Sequence, residues 1–157
     1  MSFELLRVEK ITQKSDIPFE LLLLADETVE AIDRYVHDSD CYVVRMSASS
    51  EQIAAFVLQG LNEREIELKN LAVSTNLQRR GIGTRIITEI RKIVKEKGYS
   101  ILWVGTPDVA FRQVSFYEKS GFHKAGLKVN FFIENYQAPI FDHGVQLKDM
   151  LLLKLTV

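Results

Sequence analysis

Glu65-Ile66-Glu67-Leu68-Lys69-Asn70-Leu71-Ala72-Val73-Ser74-Thr75, running on into Asn76-Leu77-Gln78-Arg79-Arg80-Gly81-Ile82-Gly83-Thr84, is the stretch on which the reading of this chain turns. Its first part alternates, with Ile66 and Leu68 apolar and Glu65, Glu67 and Lys69 polar, the pattern of a half-buried strand. The alternation breaks at Asn70-Leu71-Ala72-Val73, where a β-bulge would account for the change of phase. The second part is a loop rich in arginine and glycine. A helical stripe follows it directly: Ile82, Ile86, Ile87, Ile90, Ile93 and Val94. Strand, Gly/Arg loop and helix N-terminus together suit an anionic phosphate, because glycines let backbone N–H groups approach and the helix dipole favours negative charge.

Working outward, the sequence predicts a strand from Phe3 to Ile11. A helix start follows near Asp16-Ile17-Pro18, capped by Asp16 or Ser15, and a second helix runs from about Glu27 to Val36 with Asp26 as its cap. Strands over Cys41–Met46 and Gln52–Leu61 lead through the turn Asn62-Glu63-Arg64 into the strand Glu65–Thr75, as a meander. Beyond the loop helix, Gly98 marks a stop. Ser100–Gly105 is an apolar strand of the kind reached by a helical crossover, with Trp103 read as core. A helix over Val109–Lys119 is followed by strands over Phe122–Phe132 and Val145–Leu155, with an irregular aromatic segment between them. The fold class is α/β: one domain over residues 1–157, a mixed sheet with helices packed on it.

Composition removes other classes. A net charge of −1 over 157 residues nominates neither nucleic acid nor an anionic membrane. The lone cysteine, Cys41, permits no intrachain disulfide and fits a reducing cytoplasm; it reads as a small buried hydrophobe. No apolar run approaches the ~20 residues of a membrane span, and no secretory signal is visible. His37, His123 and His143 are scattered, without metal spacing, so no metal is expected.

Three signatures carry a family resemblance: Leu71-Ala72-Val73; Gln78-Arg79-Arg80-Gly81-Ile82-Gly83 heading a helix; and Phe116-Tyr117-Glu118-Lys119-Ser120-Gly121-Phe122. The chain resembles the GNAT family of N-acetyltransferases, and the order of strands and helices agrees over nearly its whole length. The resemblance implies acetyl-coenzyme A as cosubstrate, with its pyrophosphate held by Gln78, Arg79, Arg80, Gly81, Ile82, Gly83 and Thr84. It places the pantetheine arm against Leu71, Ala72 and Val73, in a gap between this strand and that of Ile101–Val104. An N–H of Val73 would then face the thioester oxygen. Tyr117 is implied as the acid that protonates the departing thiolate, and a phenol remains protonated at neutral pH. Glu67 is the candidate base, acting through a water, with Glu65 a weaker one. Where many members carry an asparagine before the last central helix, this chain has Asp108, which shifts that hydrogen bond to Thr106 or loses it.

The expected activity is transfer of acetyl to a primary amine of a small molecule or peptide by direct attack, with a homodimer as a further possibility. The aromatic segment from Phe131 to His143, with Glu134 and Asp142, either lines the acceptor groove or merely covers the sheet. An acyl-coenzyme A sensor without catalysis is the alternative; it would need Arg79, Arg80 and Gly81 but neither Glu67 nor Tyr117.

Overall fold

The structure is a computed structural model in which residues 5–157 are described. Seven strands form the main sheet: β1 (Leu6–Lys10), β2 (Asp40–Met46), β3 (Gln52–Gly60), β4 (Glu65–Val73), β5 (Ile101–Pro107), β6 (His123–Lys128) and β9 (Met150–Thr156), in the order β1-β2-β3-β4-β5-β9-β6. Only β4 and β5 run parallel, joined across the sheet by helix α3 (Ile82–Glu96). A small separate hairpin pairs β7 (Phe141–Asp142) with β8 (Val145–Gln146). The expected mixed, mostly antiparallel α/β sheet is what forms.

Two apolar layers sandwich the sheet. On one face α3 packs Ile82, Ile86, Ile87, Ile90 and Val94 against Phe56, Leu58, Ile66, Leu68, Leu102, Val104 and Leu153. Helix α4 (Phe111–Lys119) adds Tyr117 to the same layer. On the other face α1 (Phe19–Leu22) and α2 (Val29–Val36) bury Leu22, Ile32, Tyr35 and Val36 against Cys41, Ala55 and Val57. The tight turn between β3 and β4 is set by Asn62, whose Oδ1 accepts from the N–H groups of Arg64 and Glu65, both at 2.9 Å.

Several local expectations are corrected. Helix α2 is capped by Thr28, whose hydroxyl accepts from the Ala31 N–H at 3.0 Å, and not by Asp26. Neither Ser15 nor Asp16 caps α1; they lie in a 3-10 turn, Lys14–Asp16, and Pro18 holds the cap position. Helix α4 starts at Phe111 behind Ala110 and not at Val109, and the Asp108 N–H ahead of it donates to the Asp149 carbonyl at 3.1 Å. The strand expected over Phe122–Phe132 ends at Lys128, because Asn130 adopts left-handed backbone at φ 59° and opens a short helix, α5 (Phe131–Glu134). The last strand divides into β8 and β9. Phe3 and Glu4 of the first predicted strand lie outside the described residues.

Candidate active site

The decisive geometry is a failure of pairing. Strand β4 runs beside β5 from Glu65↔Ile101 to Leu68↔Val104 and no further, while β5 stays paired with β9 through Pro107. Beyond Leu68 the two central strands diverge. The cause sits on β4: opposite β3 the register passes from Leu58↔Leu68 to Val57↔Asn70, so Lys69 is the extra residue of a bulge. The bulge therefore lies one step before the Asn70–Val73 segment predicted for it.

The extra residue reverses which side chains face which layer. Ile66 and Leu68 point to the α3 layer before the bulge, and Leu71 and Val73 do so after it. Lys69 and Asn70 both fall on the opposite, α2 side. The Lys69 ammonium lies 5.3 Å from the centroid of the Tyr35 ring, and Asn70 Nδ2 donates to the Leu22 carbonyl at 3.0 Å and to the Tyr35 hydroxyl at 3.1 Å. Backbone groups alternate along a strand. Since the Ser74 N–H donates to Ile53 of β3 at 2.8 Å, those of Val73 and Leu71 face away from β3, toward the gap. The Val73 carbonyl is engaged there by Gln78, whose Nε2 donates to it at 2.9 Å, leaving the N–H groups as the free donors of this edge.

That same Gln78 contact fastens the Gly/Arg loop to the end of β4. Arg79 (φ 64°) and Gly81 (φ 79°) adopt left-handed backbone, and Gly81 is the N-cap of α3. The first-turn N–H groups of a helix have no partners within it, so Ile82, Gly83 and Thr84 present donors at its mouth. A Cβ on Gly83 would stand 3.1 Å from Phe116 Cζ, which shows how closely α4 approaches the loop.

Tyr117 lies in the α3-side layer, buried between Phe116 and Phe122 with ring centroids at 5.1 and 5.3 Å. Burial drives its phenol well above the usual range. Glu67 is on the opposite face, largely covered, with Oε2 3.4 Å from Lys69 Nζ. Tyr117 and Glu67 thus lie on opposite faces of the sheet. Glu65 is pulled lower in pKa by hydrogen bonds from Asn62 and from Trp103, whose Nε1 donates at 2.8 Å. Trp103 is therefore not the core residue expected: it stands half-buried on the α2-side face, with Lys154 Nζ 5.5 Å from its ring centroid. Thr106, buried, donates to Gln113 Oε1 at 2.7 Å, so its hydroxyl proton is already committed to α4. Cys41 is buried with its thiol pushed up to about 11 by desolvation. Among the described residues no group of three or more His, Cys, Asp or Glu is arranged to hold a metal ion.

A GNAT acetyltransferase domain model matches residues 37–124. The chain belongs to the GNAT acetyltransferase family. The uncharacterised N-acetyltransferase YvbK of Bacillus subtilis (strain 168) is 31% identical over 155 residues, covering 99% of both chains. Among solved structures, a GNAT acetyltransferase from Elizabethkingia anophelis with acetyl-CoA bound superposes with a TM-score of 0.91 at 33% identity, over 97% of this chain and 98% of that one. The IAA acetyltransferase of Bacillus cereus ATCC 14579 gives 0.88 at 31%, over 97% and 99%. The chain is accordingly a GNAT N-acetyltransferase, an acetyl-CoA-dependent acyltransferase.

The bulge position, the Gln78–Val73 tie and the Trp103–Glu65 pair were missed by sequence reading. Only the first left a signal, in the shift of the apolar residues of β4 from even to odd positions.

Proposed function

We propose that this chain transfers acetyl from acetyl-CoA to a primary amine of a small molecule or peptide, by direct attack within the gap between β4 and β5. The observation carrying this reading is the end of β4–β5 pairing at Leu68 and Val104, which leaves backbone donors of Leu71 and Val73 facing a gap. That gap abuts the loop of Gln78, Arg79, Arg80, Gly81, Ile82, Gly83 and Thr84, whose donors and cations suit the coenzyme pyrophosphate. Leu71, Ala72 and Val73 line the pantetheine arm.

The amine nitrogen attacks the thioester carbonyl carbon, and the carbonyl electrons pass to oxygen. The Val73 N–H is placed to donate to that oxyanion. Collapse re-forms the carbonyl and breaks the C–S bond; the sulfur takes a proton from Tyr117 and leaves as the thiol. The amine proton goes to Glu67 through a water, and the product is an amide. Burial keeps the phenol protonated, as this role needs. The hydrogen bond from Tyr117 strengthens as charge builds on sulfur, its proton passes as the thiol leaves, and solvent re-protonates the phenolate. The cytoplasm, where acetyl-CoA is at hand, is the proposed location, and among the described residues no helix is long and apolar enough to cross a membrane.

Calorimetry with acetyl-CoA tests the reading at its base. Saturable one-to-one binding that weakens about tenfold in an Arg79→Ala, Arg80→Ala double variant is expected; absence of saturable binding by the native chain would overturn it.

A further inference from the structure

Lys69 and Asn70 are two residues where the neighbouring strand has one. On β3, Leu58 and Phe56 face the α3 layer and pair with Leu68 and Leu71 of β4, and the single residue Val57 lies between them. The apolar pattern therefore requires one extra residue between Leu68 and Leu71, but it does not say which. With Lys69 extra, Asn70 stands opposite Val57, as observed. With Asn70 extra, Lys69 would stand there in regular strand, able to carry the β4–β5 ladder one step past Leu68↔Val104 to Gly105. The choice decides where the gap begins.

The Asn70 side chain makes that choice. It is 4% exposed, on the α2 side, and Nδ2 commits both of its hydrogens, one to the Leu22 carbonyl at 3.0 Å and one to the Tyr35 hydroxyl at 3.1 Å. The Leu22 carbonyl can only accept, so the orientation of the carboxamide is fixed. Both acceptors are anchored in their turn. The Leu22 carbonyl also takes the N–H groups of Ala25 and Asp26, each at 3.1 Å, and the Tyr35 hydroxyl donates to Asp26 Oδ2 at 2.9 Å. Lys69, on a long flexible stem, places no such demand on the backbone.

Stability does not ask for an asparagine here. Its Oδ1 is, among the described residues, the one buried side-chain polar atom without a hydrogen-bond partner. A buried orphan acceptor is destabilising. Nor do its partners depend on it: without Asn70 the Leu22 carbonyl keeps two donors and the Tyr35 hydroxyl keeps Asp26. A leucine at this position would remove the orphan, leave no other behind, and add apolar surface to the layer of Leu22 and Val57. A buried polar side chain that lowers stability and fixes a register acts as a single asparagine does in the seam of a coiled coil.

We propose that Asn70 is a positioning residue for acetyl transfer: by tying β4 to the Leu22 carbonyl and the Tyr35 hydroxyl it selects Lys69 as the extra residue of the bulge and so fixes where the gap between β4 and β5 opens. The inference rests on the acetyl-transfer reading above, which puts the coenzyme in that gap. Asn70 acts through the backbone of its own strand and needs no contact with coenzyme or acceptor.

Asn70→Leu in the full chain tests this by three measurements. Thermal unfolding is expected at or above the native midpoint. The dissociation constant of acetyl-CoA, from calorimetry, is expected to rise about tenfold, as when only a tenth of the molecules hold the competent register. The 15N amide signals of Lys69, Leu71 and Val73, single in the native chain, are expected to broaden or double. Tyr35→Phe, which keeps the ring beside Lys69 and removes one of the two acceptors, is the second variant; it should broaden the same signals and weaken acetyl-CoA about threefold. Native affinity with unchanged amide signals in both variants overturns the proposal. So does a lowered midpoint in Asn70→Leu with those signals still single, which would assign Asn70 to packing alone. Failure of the native chain to bind acetyl-CoA would sink the acetyl-transfer reading, while the amide signals would still decide whether Asn70 sets the bulge.

Discussion

Tyr117 and Glu67 lie on opposite faces of the sheet in different environments, and that difference sets what each can contribute to the proposed reaction. The Tyr117 phenol is buried among Phe116, Phe122 and the α3 layer, so its ionised form is disfavoured and the proton stays on oxygen. Tyr117→Phe is expected to lower kcat by about a hundredfold, within the usual range for loss of a positioned acid. The coenzyme dissociation constant should change by less than about twofold, because the proposed coenzyme contacts are those of the loop at α3. The sign of the pH effect follows from the raised pKa: the donor form persists at and above pH ~10, so turnover should show no basic fall due to this phenol below that pH. A basic limb near pH 8 in the native enzyme that vanishes in Tyr117→Phe would refute the assignment. Glu67, paired with Lys69, is held beside a cation, and Glu67→Gln should lower kcat/KM by about ten- to a hundredfold. Equal activity of the two forms across pH 6 to 9 would remove it as base. Tyr117 was legible because it stands in a motif; the Lys69 partner was legible only as a neighbour on the same strand.

At the scale of elements, β4, the loop and α3 behave as one device. The bulge at Lys69 turns Leu71 and Val73 toward the α3 layer, Gln78 ties the loop to Val73, and Gly81 starts the helix in a backbone region that other residues enter at a cost. The close approach of α4 to that loop constrains Gly83. A Cβ there would meet the Phe116 ring at 3.1 and 3.2 Å, and Phe116 is the immediate neighbour of Tyr117. Gly83→Val is therefore expected to push α4 outward, weakening acetyl-CoA binding and lowering kcat together, each by about tenfold or more. Measurement of both constants checks this; a change in affinity alone would mean that α4 does not transmit the displacement. Most of this device was readable from the order strand, Gly/Arg loop, helix. The hydrogen bond from the Tyr136 hydroxyl to Asp26 was not, because the two residues are remote in sequence and the segment around Tyr136 has no periodicity. Asn130 ends β6 through a left-handed residue that the composition of the strand did not announce.

Over the whole molecule, the sheet is held in place at its far edge by a tie that leaves no mark in any local pattern. Asp40, which opens β2, lies 2.7 Å from Lys97 at the end of α3 and 3.2 Å from Lys10 at the end of β1. It thereby joins the edge of the sheet to the C-terminus of the helix whose N-terminus carries the Gly/Arg loop. Burial by itself would raise the Asp40 pKa, but hydrogen bonds and charge from Lys97 and Lys10 outweigh it and the net direction is down. A carboxylate with a depressed folded pKa stabilises the fold above its unfolded value of about 3.9, and that contribution is lost as pH falls through the folded pKa. Asp40→Asn should thus cost about 1 kcal/mol at pH 7, the size of a partly exposed charge-assisted contact, and lower the midpoint of thermal unfolding by roughly 2–4 °C. At pH ~2.5 the difference between variant and native chain should shrink, since the native carboxyl is then losing its charge too. Thermal unfolding of both proteins at the two pH values decides the matter: a deficit that persists undiminished in acid would show that Asp40 acts through packing and not through its charge.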